Sequence, residues 1–168
     1  MADFTLTIRK NDIYEEVAKT TAYIGAKNKL EDGKSAFDQV FVTDADLTMI
    51  ERFFNESMDA LRNVLKRFVA SESVDALRNA LKRFIAGESA EDGSTKWTLE
   101  MPSRFDDNLL SSINSSVNSF LVNSIIGKWC EITANDKVKE YADNAAALLL
   151  DIKEKAFFKK KPTRTKIS

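Results

Sequence analysis

A chain of 168 residues, 43% hydrophobic and 30% charged, fits one folded domain and excludes intrinsic disorder. Its formal net charge of -1 excludes a surface built wholly for nucleic acid or for an anionic membrane. With no histidine and a single cysteine, Cys130, the chain holds no Ser-His or Cys-His nucleophile pair and no internal disulfide, so folding does not depend on an oxidising compartment.

The opening Met1-Ala2-Asp3 has no basic region followed by an apolar run, so no signal peptide is expected. Phe4-Thr5-Leu6-Thr7-Ile8 alternates apolar and hydroxyl residues, as a half-buried strand does. Asn11 is placed to cap a helix that carries Ile13, Val17, Thr21 and Ile24 on one face, with Gly25 as its stop. Lys27 to Lys34 reads as a loop, and Ala36 to Val42 fits either a short helix or a short strand. Thr43 with Asp44 and Asp46 forms a cap and acidic first turn. Leu47, Ile50, Phe54, Met58, Leu61, Leu65 and Phe68 then recur at helical spacing.

A tandem repeat begins inside that helix. Residues 58–73 (MDALRNVLKRFVASES) and 74–89 (VDALRNALKRFIAGES) agree at 12 of 16 positions. A sixteen-residue shift leaves the two apolar stripes roughly 160° out of phase on one straight helix. A break is therefore expected near Ser71-Glu72-Ser73, with Ser73 capping a second helix over Val74 to Ile85 and Gly87 ending it. Two copies are too few for a solenoid, so the pattern reads as a duplicated helical arm over 58–89.

After a loop, Trp97, Leu99 and Met101 alternate with Lys96, Thr98 and Glu100 as a second strand, which Pro102 ends. The two strands pair into a small element packed on the helices. Ser103 to Asp106 is a further cap pattern, followed by a stripe of Phe105, Leu109, Ile113, Val117, Phe120, Leu121, Ile125 and Trp129. Thr133 to Asp136 repeats the cap pattern before a last helix carrying Val138, Tyr141, Ala145, Leu148, Leu149, Ile152 and Ala156. The fold class is thus mainly α, a bundle of long amphipathic helices with a small two-stranded β element. One helical domain spans 1–158, followed by a basic tail at 159–168.

No residue pattern points to catalysis, metal binding or a cofactor. Cys130 lies at a helix C-terminus, where the dipole opposes a thiolate, and reads as a small core residue. Asp44 and Asp46 open a stretch that lacks the glycine and the final acid of a calcium loop, having Met49 and Asn55 there. The five glycines are isolated, so no phosphate loop is present. Arg62, Lys66 and Arg67, with their copies Arg78, Lys82 and Arg83, read as solvated faces balanced by Glu56, Asp59, Glu72 and Asp75.

Two features point to partners instead. Asn108 to Gly127 carries no charge, and six serines and four asparagines among its 20 residues rule out a membrane span. Its polar face, Ser111, Ser112, Ser115, Asn118, Ser119 and Asn123, lacks the lysines and glutamates of a solvent-facing helix. Either this is a central core helix or that face forms an interface between copies of the chain, and the interface is the favoured reading. The second feature is the tail, where Lys159, Lys160, Lys161, Arg164 and Lys166 meet no acid and fit either an acidic partner surface or nucleic acid.

The strings Leu99-Glu100-Met101-Pro102-Ser103-Arg104-Phe105-Asp106, Val122-Asn123-Ser124-Ile125 with Lys128-Trp129, and Lys160-Lys161-Pro162-Thr163-Arg164 resemble small proteins of phages and prophages of gut Bacteroidetes. Phe4 to Ile8 and Glu16 to Lys27 fit the same pattern. These are virion structural components, similar in size and helical layout to head–tail connector (adaptor) subunits. The resemblance implies a non-enzymatic subunit of the virion, assembled in the bacterial host cytoplasm. It would form a homo-oligomeric ring in the neck and dock on portal or tail proteins, with only incidental contact with DNA. It covers most of the chain except 58–89, where it implies one copy, with the helix passing into a strand. The alternative reading is a DNA-binding or packaging-associated helical protein.

Overall fold

The computed structural model describes residues 2–27, 41–74, 94–133 and 136–162. The alternating N-terminus forms strand β1 (Ala2–Arg9), which passes directly into helix α1 (Lys10–Lys27). Asn11 therefore lies inside the first turn instead of capping it. Gly25, expected as the stop, is buried within the helix, which runs two residues further. Ile13, Val17, Thr21 and Ile24 are the buried face, as their spacing requires. The Thr21 hydroxyl donates to the Val17 carbonyl at 2.9 Å and accepts from the Val42 N–H at 3.3 Å. Most of the loop and of the ambiguous stretch before Val42 lies outside the described residues.

At Thr43 the cap forms. The Thr43 N–H donates to the Asp46 carboxylate at 2.9 Å and the Asp46 N–H to the Thr43 carbonyl at 3.0 Å, closing a 3-10 turn (Asp44–Asp46). Helix α2 (Leu47–Leu65) follows, and its buried stripe of Ile50, Phe53, Phe54, Ser57, Met58, Leu61 and Leu65 is the expected one. The expected break after it is of another kind. The helix ends at Leu65, and strand β2 (Val69–Val74) follows a short turn. Ser73 is thus not a cap but a strand residue opposite Lys96, and Val74 lies opposite Thr95. Serines are weak helix formers, and the backbone of 69–74 finds its hydrogen-bond partners on a neighbouring strand instead. The rest of the expected second helix lies outside the described residues.

Strand β3 (Ser94–Met101) is the centre of an antiparallel sheet of order β1-β3-β2. The expected pairing of the two alternating segments holds, with Leu6 opposite Trp97 and Phe4 opposite Leu99. The addition is β2 on the far edge, joined with an irregularity between Val69 and Ser71. Along β3, Thr95, Trp97, Leu99 and Met101 are buried while Lys96 and Glu100 are exposed, so one sheet face lies on the helices.

Helix α3 (Leu109–Ile132) starts later than the Ser103 signal implied. Asp106 sets the start: its carboxylate accepts the Asn108 N–H at 3.2 Å and its carbonyl accepts the Leu109 N–H at 2.9 Å. Thr133, expected to open the next helix, closes this one by donating its hydroxyl to the Trp129 carbonyl at 3.1 Å. Helix α4 (Val138–Phe157) completes a mainly helical fold with a small antiparallel sheet. α3 packs against α1, α2, α4 and β1, so it is the central helix of the core. Among the described residues, no helix is long and apolar enough to cross a membrane.

Candidate functional site

A helix whose first 19 residues carry no charge, as α3 does from Leu109 to Gly127, can sit at the centre of a bundle only if its polar groups are bonded or reach solvent. Two serines of α3 are bonded to the neighbouring helices. Ser124 and Ser57 of α2 share a hydrogen bond of 2.7 Å, with Ser57 also donating to the Phe53 carbonyl at 2.8 Å. Ser116 donates to the Asp151 carboxylate of α4 at 2.7 Å and accepts from the Lys155 ammonium at 3.0 Å. Beside the first pair, the Lys128 ammonium reaches the Glu56 carboxylate at 2.5 Å. Small hydroxyl side chains thus let α3 approach α2 and α4 closely. At Gly127, a Cβ would meet the Ala142 backbone nitrogen at 3.4 Å.

Neither Ser116 nor Ser124 belongs to the predicted interface face. The six residues of that face lie elsewhere around the helix. Ser111, Ser115 and Ser119 are exposed, and Ser112, Asn118 and Asn123 are half-buried. Ser115, Asn118, Ser119 and Asn123 line one open groove of about 440 Å³ between α3 and α1. Asp12, Glu16 and Thr20 form its α1 side, and Tyr141 of α4 closes one part of it. A second depression of about 260 Å³, lined by Thr7, Arg9, Asp12, Asn114 and Asn118, shares Asp12 and Asn118 with the first. Asn114 Oδ1 is buried there without a hydrogen-bond partner. Ser111 and Ser112 line neither hollow.

The sequence reading missed the acidic side of this groove. Asp12 and Glu16 are four residues apart on α1 and make no ion pair with a described residue, whereas Glu15 pairs with Lys19 at 2.7 Å. An i,i+4 pair of acids, Asp12 and Glu16, on one face of the helix was the available signal. Chain entry into the tail is also built. The Lys160 N–H donates to the Arg104 carbonyl at 2.8 Å, and the Arg104 guanidinium donates to the Lys160 carbonyl at 2.6 and 3.0 Å. The Lys160 ammonium lies 3.2 Å from Asp106 and 3.5 Å from Asp107, which holds the Asp106 carboxyl below its usual range. Lys159 and Lys161 are exposed and carry no such pair, while Arg164 and Lys166 lie outside the described residues.

Compared with protein-family models, curated proteins and solved structures, the chain matches none.

No group of three or more metal-ligating side chains occurs among the described residues. Cys130 is fully buried, and burial, with a smaller push from the Asp136 carboxylate, raises its thiol to about 11. Iodoacetamide at pH 8 is expected to leave Cys130 unmodified in the folded protein and to alkylate it rapidly in urea, as mass spectrometry would show. Equal rates in the two states would mean that the α3 C-terminus is open.

The Ser116–Asp151–Lys155 cluster makes a pH prediction. Hydrogen bonds from Lys155 and then Ser116 lower the Asp151 carboxyl below its ordinary 3.8. The folded value lies below the unfolded one, so its contribution is present above about pH 4 and is lost as pH falls through the folded value. The carboxylate is 40% exposed, so the contribution is at most about 1 kcal/mol. Asp151→Asn is expected to flatten the acid limb of urea-denaturation stability below about pH 4, with the parent chain as reference. An unchanged acid limb would show that the cluster contributes nothing to folding.

Proposed function

We propose that the chain is a structural subunit that assembles as a homo-oligomer, in the manner of a phage head–tail connector or neck ring protein docking on portal or tail partners. The observation that carries this reading is the open, charge-free polar strip on the central helix. Ser111, Ser115 and Ser119 are exposed although the surrounding helix carries no charge from Asn108 to Gly127. Solvent-facing helix surfaces ordinarily carry Lys, Glu or Arg, whereas neutral hydroxyls and amides cost less to desolvate than charges and can hydrogen-bond across a contact. The resemblance of Leu99–Asp106, Val122–Ile125 and Lys160–Arg164 to phage structural proteins supplies the particle, the virion, as its place of action.

The test is the mass in solution by light scattering behind a sizing column at several concentrations. A discrete multiple of 18.9 kDa supports the reading. A monomer at every concentration, which stays a monomer when portal or tail proteins are added, removes it.

One observation favours a second reading, nucleic-acid binding. Lys66, Arg67, Lys159 and Lys161 are exposed and make no ion pair with a described residue. Phe158, 52% exposed, adjoins Lys159, and the Arg67 guanidinium lies over the Phe157 ring at 5.7 Å. Contacts of that kind release counterions, so duplex DNA binding would weaken steeply between about 50 and 200 mM salt. No salt-sensitive binding in that titration removes the second reading.

A further inference from the structure

The groove between α1 and α3 is chemically one-sided. Asp12 and Glu16 present two carboxylates with no ion-pair partner among the described residues. Asn114 Oδ1, buried in the adjoining depression, is an acceptor with no donor. Arg9, at the edge of that depression, is the cation lining either hollow, and the nearby Lys19 is bonded to Glu15, with a smaller attraction to Glu16. The remaining lining is neutral serine, asparagine and threonine with Ile13, Val122, Ile126 and Tyr141. Such a surface fits a segment rich in donor-only side chains, lysine and arginine, running along a shallow channel.

The chain carries one segment of that chemistry: residues 159–168 hold five cations and no acid. The near end is anchored beside Arg104, Asp106 and Asp107, where Lys160 is committed to its own chain. Lys159 and Lys161 are not committed, and Arg164 and Lys166 follow. The six residues beyond Pro162 span at most roughly 20 Å when extended. From these complementary parts we infer that the α1–α3 groove receives the basic segment 159–168 of a second copy of the chain. Groove and tail are two different patches of one molecule, so the contact is head-to-tail. That is the kind of contact that closes into a ring when the rotation between copies allows it, whereas a like-to-like patch stops at a dimer. This inference rests on the homo-oligomer reading above.

The test uses full-length chains and a charge swap. One variant carries Asp12→Lys and Glu16→Lys; the other carries Lys159→Glu, Lys161→Glu, Arg164→Glu and Lys166→Glu. Each alone sets like charges against each other at the contact. The concentration for half-assembly is therefore expected to rise by at least about tenfold in each, read by light scattering. An equimolar mixture restores opposite charges at every contact, since each groove then meets the other variant's tail, and assembly is expected to return. Recovery on mixing also shows that both variants fold. Assembly of both variants as strong as the parent's overturns the inference but leaves the homo-oligomer reading standing. Loss in both with no recovery on mixing overturns it too, because a tail docked in its own groove, or bound elsewhere, gains nothing from the second variant. A tail variant that assembles normally beside a groove variant that does not assigns the groove to another contact and also overturns it. A parent chain that never assembles, alone or with portal or tail proteins added, overturns both readings.

Discussion

Replacing Trp97 by alanine is expected to cost about 3–5 kcal/mol of folding stability, the range for truncating a large buried aromatic. Trp97 is fully buried on the central strand, opposite Leu6 of β1 and Glu72 of β2. The Arg62 guanidinium of α2 lies over its ring at 5.7 Å. The side chain therefore fills the space where sheet and helices meet, and the strands on either side keep the backbone from collapsing into the void. Its indole N–H is buried without an acceptor, which is itself a cost of roughly 1–3 kcal/mol. Trp97→Phe removes that N–H and keeps most of the ring, so it is expected to stay within about 1 kcal/mol of the parent. Urea denaturation followed by helical circular dichroism measures both. A loss below about 1 kcal/mol for the alanine variant would show that the sheet is not anchored on the helices through this residue.

Ser119→Arg is expected to abolish assembly while leaving the fold intact. Ser119 is exposed, lies midway along the charge-free strip and lines the groove opposite α1. An arginine there fills the channel and sets a desolvated cation against whatever the strip meets. Exposed substitutions of this kind change folding stability by no more than about 0.5 kcal/mol. The expected result is a single species of 18.9 kDa with the parent's denaturation midpoint. If the oligomer survives unchanged, the strip is not the contact between copies. A fallen midpoint would show instead that Ser119 belongs to the core.

The helices were legible because their apolar residues recur every three or four positions, and Ile13 to Ile24 and Ile50 to Leu65 are buried as that period requires. What was not legible is set by tertiary partners. Phe68 continues the helical spacing of Leu61 and Leu65, yet the helix stops before it, because the segment after it pairs with β3, far along the chain. No local pattern in Val69–Val74 encodes that pairing. Single-residue signals at Asn11, Ser103 and Thr133 were displaced because the strand before α1, the turn at Asp106 and the end of α3 use the backbone groups those residues were expected to serve.

At the candidate site, the absence of charge identified α3 as unusual, and four of the six polar residues named on it line one groove. The sequence reading put Ser115 and Ser119 on the polar face, where they stay open, and left off it Ser116 and Ser124, which are bonded to α4 and α2. One residue of rotation decides between them. The acids Asp12 and Glu16 came into the site only through the packing of α1 on α3.

The register of β2 on β3 bears on how the tandem repeat came to be tolerated. Ser73 faces Lys96, and each step toward the turn pairs one residue later on β2 with one residue earlier on β3. In a chain without residues 74–89, Ala90 would directly follow Ser73. The same ladder would then set Ala90 opposite Thr95 and Glu91 opposite Ser94, leaving Asp92-Gly93 as a two-residue connection. Asp-Gly is the pair that such tight hairpins favour, because both central positions need positive φ. The single-copy chain therefore reads as a complete hairpin, and the sixteen added residues enter at its tip. Chain added there leaves the partners of the described β2 and β3 residues in place, and the cost of closing a longer connection grows slowly with length. The second copy of the repeat thus falls between two strands whose described pairing it leaves unchanged.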